Sequence, residues 1–117
     1  MKILIVDDDP DILDAVKMVL EMENYHTESI SRGEEALYKA QTYNPDLILL
    51  DVLLSGTDGR KICRELKEDT STKHIPIIMV SAHPNAHLSV AECRADSFIA
   101  KPFSVDHLLQ VIKRYEA

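Results

Sequence analysis

Four short apolar runs in this sequence lead into residues able to do chemistry. Ile3–Val6 leads into Asp7 and Asp8, Leu47–Leu50 into Asp51, Ile75–Val80 into Ser81, and Phe98–Ala100 into Lys101 and Pro102. Three carboxylates drawn into one crevice repel one another, so protonation, a lysine or a metal ion must compensate them. Oxygen ligands without a His or Cys cluster favour a hard cation. An incomplete cage suits Mg²⁺, which keeps several waters, with Mn²⁺ as a substitute. A cation, an ammonium and a hydroxyl donor together form a site for a phosphoryl group, and a carboxylate is a competent nucleophile toward phosphorus. The chemistry indicated by these residue types is phosphoryl transfer onto an aspartate.

These residues meet only if the elements carrying them share an edge. The runs 3–6, 47–50 and 75–80 are short, continuous and rich in β-branched residues, as suits parallel strands covered on both faces. Phe98–Ala100 is a shorter candidate, and His26–Ile30 is polar enough to belong at an edge. Helical signals lie between the strands. Ile12, Val16, Val19 and Leu20 mark one face of a first helix, and Asp9 before Pro10 suits its N-cap, so Asp9 and Asp11 are assigned to the helix start and solvent. Ser31 and Glu34 have capping-box spacing before Ala36, Leu37 and Ala40. Asp58 is placed to cap a third helix carrying Ile62 and Leu66. Ser104 caps the last, with Val105, Leu108, Leu109 and Ile112 as its apolar stripe and Lys113 and Arg114 at its C-terminal end. Stretch 84–95 has helix formers and no clear stripe. Alternating βα units predict an α/β fold with a doubly wound parallel sheet, in which ligands bind beyond the C-terminal strand ends.

The 117 residues suit one compact domain. No apolar run is long enough to span a bilayer and no leader pattern follows Met1, so a cytoplasmic location is expected. A net charge of −7 without a basic cluster excludes direct nucleic-acid binding as the expectation. Cys63 and Cys93 fit no metal spacing and read as reduced thiols that pack as small apolar groups. His83 and His87 lie four apart with no third ligand in evidence, and read as surface residues; His83, two residues after Ser81, is close enough to influence phosphoryl lifetime.

Taken in order, "ILIVDDDP", "PDLILLDVLLSGTDG", "IPIIMVSA" and "ADSFIAKPF" resemble a response-regulator receiver domain of two-component signalling, over essentially all of residues 1–117. The resemblance implies a (βα)5 flavodoxin-like fold with strand order 2-1-3-4-5. It implies Asp51 as phosphoacceptor, Mg²⁺ held by Asp8, Asp51 and the backbone carbonyl of Leu53, and Asp7 acting through a water. Lys101 would pair with a phosphoryl oxygen across a cis bond to Pro102, Ser81 would donate its hydroxyl, and Phe98 would match the aromatic switch. The partners implied are a histidine kinase or histidine phosphotransfer protein, and a downstream protein or effector domain engaged through the helix 4, strand 5 and helix 5 surface, with a homodimer as a further option. The expectation is a receiver domain alone over 1–117, with no effector domain and no membrane partner. It departs from the family pattern at Ser55, where proline is common, at Ser81 for threonine, and at Arg94, where glycine is usual.

Three other readings compete. A haloacid-dehalogenase-like phosphatase would use Asp7 and Asp9, but it needs a later acidic strand end and leaves Asp51 without a task. A flavodoxin-type FMN carrier would need a hydroxyl- and glycine-rich loop where Asp7 and Asp8 stand. A degenerate receiver serving only as a docking module would have no need of Asp7, Asp8, Asp51, Ser81 and Lys101 together.

Overall fold

The computed structural model describes residues 1–54, 57–82 and 93–116. Five parallel strands form one sheet: β1 Lys2–Val6, β2 His26–Ile30, β3 Leu47–Asp51, β4 Ile77–Ser81 and β5 Ser97–Ala100, in the order β2-β1-β3-β4-β5. Helices α1 Pro10–Met22, α2 Ala36–Tyr43 and α3 Gly59–Glu68 and a C-terminal helix Val105–Lys113 alternate with them. This order is the flavodoxin-like (βα)5 arrangement, with the polar β2 at the edge.

The continuous apolar runs follow from burial on both sheet faces. Leu4, Val6, Ile48, Leu50, Ile77 and Met79 pack with Ala36, Ala40, Ile62 and Leu66 of α2 and α3. Their strand neighbours Ile3, Ile5, Leu47, Leu49, Ile78 and Val80 pack with Val16, Leu20, Leu108, Val111 and Ile112 of α1 and the C-terminal helix. Successive side chains alternate between faces, so a strand with two covered faces must be apolar throughout.

Four local features differ from the sequence reading. The run from Ile75 enters the ladder only at Ile77; Pro76, which has no N–H, contributes its carbonyl to Ile48 N at 3.0 Å. Ser31 does not open α2. A 3₁₀ turn over Gly33–Glu35 precedes that helix, and neither cap makes a side-chain hydrogen bond. Gly33 in that turn is closely packed: a Cβ there would lie 2.9 Å from Leu54 Cδ1. In the C-terminal helix the buried stripe is Leu108, Val111 and Ile112, while Val105 is exposed. A two-stranded antiparallel ribbon, Leu53–Leu54 with Thr57–Asp58, is additional to the predicted elements. The candidate helix of 84–95, with His83 and His87, and Ser55 lie outside the described residues, apart from Cys93 onward.

Candidate functional site: an acidic pocket at the strand ends

Register assembles the pocket. Val6 pairs with Leu50, so Asp7 and Asp51 emerge side by side from β1 and β3. Asp51 pairs with Val80, and Ser81 with Ala100, which sets Ser81 and Lys101 one step further along the same edge. Backbone bonds hold the step: Val52 N donates to Val80 O at 3.0 Å and Lys101 N to Ser81 O at 2.8 Å.

Asp7, Asp51 and Ser81 are buried, at 4%, 6% and 1% exposure, and Asp8 is half-buried. Burial of carboxylates is costly unless charge and hydrogen bonds compensate. Lys101 meets that need in part, with Nζ 3.0 Å from Asp7 Oδ2 and 3.5 Å from Asp51 Oδ2. Asp7 Oδ1 also accepts from Asp9 N at 3.0 Å. Carboxylate oxygens of Asp7, Asp8 and Asp51 lie within 4.8 Å of one another. Such a converging all-oxygen donor set fits a hard divalent cation.

The neighbouring acids do different work. Asp9 is the N-cap of α1, accepting from Asp11 N at 3.0 Å and Ile12 N at 3.5 Å, with Pro10 at the first helical position. Asp11 is exposed in that first turn. Asp58 caps α3 through Arg60 N, and hydrogen bonds from Arg60, chiefly its side chain, hold the Asp58 carboxyl below the usual carboxylate range. Leu53 follows Asp51 in the short ribbon, and Phe98 lies in β5 opposite Met79, partly buried against the α2–α3 core. The Lys101–Pro102 peptide is cis.

Two features escaped the sequence reading. Gly59, at the start of α3, donates its N–H to Val52 O at 2.7 Å, and a Cβ there would fall 2.0 Å from the carbonyl oxygen of Asp51. The only sequence signal was that glycine is rare here, with three in the chain. Beside Lys101, the side chains of Ile12, Ala82, Pro102 and Phe103 line an apolar hollow.

Comparison with known proteins agrees with this geometry. Residues 3–113 match the response regulator receiver domain, and the chain belongs to that family. It is 40% identical over 114 residues to the transcriptional regulatory protein ResD of Bacillus subtilis, covering 96% of this chain and 46% of ResD. The chain thus spans about half the length of the curated relatives it matches. Among solved structures, chemotaxis protein CheY4 of Vibrio cholerae superposes with a TM-score of 0.91 at 29% identity, over 98% of both chains. The BeF3-activated N-terminal receiver domain of Klebsiella pneumoniae RstA gives 0.90 at 27% identity, covering 98% of this chain and 97% of that one. The molecule is therefore a response-regulator receiver of two-component signalling with an acidic pocket of Asp7, Asp8 and Asp51.

Proposed function

We propose that the receiver is a phosphorylation-driven switch that takes a phosphoryl group from a partner phosphohistidine onto Asp51. The observation that carries this reading is the convergence of Asp7, Asp8 and Asp51 around the Lys101 ammonium. Asp8, Asp51 and the Leu53 carbonyl would hold Mg²⁺ directly, with Asp7 in its outer sphere. When bound, the ion supplies charge neutralisation for phosphoryl transfer.

A carboxylate oxygen of Asp51 attacks phosphorus in line, the P–N bond breaks, and the histidine nitrogen keeps the electron pair. Lys101 leaves its contact with Asp51 and follows the charge onto a phosphoryl oxygen, held near by Asp7. Ser81, at the end of the neighbouring strand, donates its hydroxyl to a second phosphoryl oxygen. The apolar hollow of Ile12, Ala82, Pro102 and Phe103 suits the flank of a kinase or phosphotransfer helix beside the reacting atoms. The new charge and acceptor oxygens then bias the surface that includes β5 and the C-terminal helix, with Phe98 turning as Ser81 is drawn toward the phosphoryl group. The modification is single and self-catalysed, so the domain acts as a switch rather than as a turnover enzyme. A cytoplasmic location and a downstream protein or effector domain as output complete the proposal.

Incubation with a small acyl phosphate and Mg²⁺, followed by intact-mass measurement, tests it. One phosphoryl adduct is expected, absent from Asp51→Asn and from the metal-free control. No adduct under any condition would leave a docking module. Steady phosphate release from varied monoesters would mean a phosphatase.

A further inference from the structure

Cys63 and Cys93 are thirty residues apart in sequence and meet in the fold. Cys63 lies in α3 and Cys93 on the approach to β5, and both are 0% exposed in the same core cluster. The Cys63 thiol donates to the Cys93 carbonyl oxygen at 3.3 Å. The neighbouring Cys93 side chain, then burial, push the Cys63 thiol up, while Cys63 draws the Cys93 thiol down against burial.

The surroundings hold this pair in place from both sides. Lys67, one turn along α3, reaches Asp96 Oδ2 at 2.8 Å and the Ile75 carbonyl at 2.8 Å, and Asp96 in turn accepts from Ile77 N at 2.8 Å. Arg94 pairs with Glu68 at 3.7 Å. Segment 93–96 is thus fastened to the outer half of α3, with the two sulfurs inside the fastening.

We propose that Cys63 and Cys93 form an oxidation site, at which a peroxide converts the two thiols into an intramolecular disulfide tying α3 to the entry of β5. One of the two, as thiolate, attacks a peroxide oxygen, the O–O bond breaks, and a sulfenic acid forms with release of an alcohol or water. The other thiol then attacks that sulfur, the S–O bond breaks and water leaves. Two thiols lose two electrons and two protons, and the peroxide is reduced. Because both sulfurs are shielded from solvent, reaction follows an opening that lifts segment 93–96 from α3, and the disulfide then suppresses that opening. The proposal does not depend on phosphotransfer.

The test exposes the folded chain to excess hydrogen peroxide, alkylates it under denaturing conditions, and maps its peptides. The expected product has lost the mass of two hydrogen atoms, takes up no alkyl group, and yields one cross-linked peptide joining Cys63 to Cys93 that dithiothreitol separates. Cys63→Ser and Cys93→Ser each abolish it, and amide exchange over 93–97 slows by about tenfold or more in the oxidised chain. Two alkylatable thiols after prolonged exposure would overturn the proposal. So would oxygen adducts without the cross-link, a disulfide between two copies, or unchanged exchange in cross-linked chain. If a serine variant fails to fold, the peptide map of the unaltered chain decides alone.

Discussion

Lys101 is shared between two buried carboxylates, and that sharing fixes what its removal does. With Nζ 3.0 Å from Asp7 and 3.5 Å from Asp51, it compensates charge in the resting pocket and is already beside the atom that would receive phosphorus. Lys101→Met keeps the apolar stem and deletes the charge. The folded state then loses about 1–3 kcal/mol at neutral pH, as expected for a buried carboxylate deprived of its partner. Adduct formation with a small phosphodonor falls by about 10²-fold or more, because a preorganised charge at the transferring oxygens is gone. Denaturant unfolding and adduct yield measured on the same variant separate the two effects, and unchanged stability would contradict this account. That Asp7, Asp8, Asp51, Ser81 and Lys101 stand at one sheet edge was legible in the sequence for one reason. Each lies at or within two residues of the end of an apolar strand, and parallel strands deliver their last residues to one edge. Cys63 with Cys93, and Gly59 against Asp51, were not legible, because those contacts exist only through space and leave no local pattern.

Among the elements, strands were more readable than helix faces, while Asp9, Asp58 and Ser104 cap their helices as read and Ser31 does not. A strand buried on both sides has to be apolar throughout, which is visible in Leu47–Leu50 without any knowledge of neighbours. Helices require a choice among overlapping stripes, and Val105 lost to Val111 because the C-terminal helix turns the 108, 111 and 112 face to the sheet. Arg94, noted in the sequence as a departure from the pattern it resembles, has φ +64°, in the left-handed region that favours glycine. The element-scale prediction concerns α3. Gly59→Ala puts a Cβ 2.0 Å from the Asp51 carbonyl and 2.9 Å from Val52 Cα, both backbone atoms that cannot swing aside. Overpacking of this kind costs about 1–3 kcal/mol or more, a drop in Tm of about 4 °C per kcal/mol for a chain between the small and mid-size domain ranges. Because the clash is with the backbone of Asp51 itself, adduct yield falls along with stability. Thermal unfolding and intact mass on the same sample check this, and a variant with unchanged Tm would show that α3 can slide outward freely.

At the scale of the molecule, the edge opposite the acidic pocket is tied together by its own network. The Tyr25 hydroxyl donates to Glu116, the hydroxyls of Ser97 and Tyr115 bond to each other, His26 N donates to Met1 O at 3.1 Å and Lys2 N to Asp46 at 2.7 Å. Burial, then the hydrogen bond to Glu116, then the charges of Glu116 and Glu23, push the Tyr25 phenol from 10.0 up to about 12. Folding therefore holds a proton that the unfolded chain releases near pH 10. By linkage the stabilisation is whole below that pH and is lost as pH rises through 10 to about 12, amounting to about 3 kcal/mol at most. Tyr43 is raised in the same direction by burial and by Glu28 and Asp46, so part of the alkaline slope belongs to it. Tyr25→Phe should lose about 1 kcal/mol at neutral pH, the worth of one hydrogen bond, and should then lose less than the parent chain as pH climbs. The two stability curves converge and cross in strong alkali. Urea unfolding across that range measures it directly, and parallel curves would mean that Tyr25 does not carry the alkaline transition.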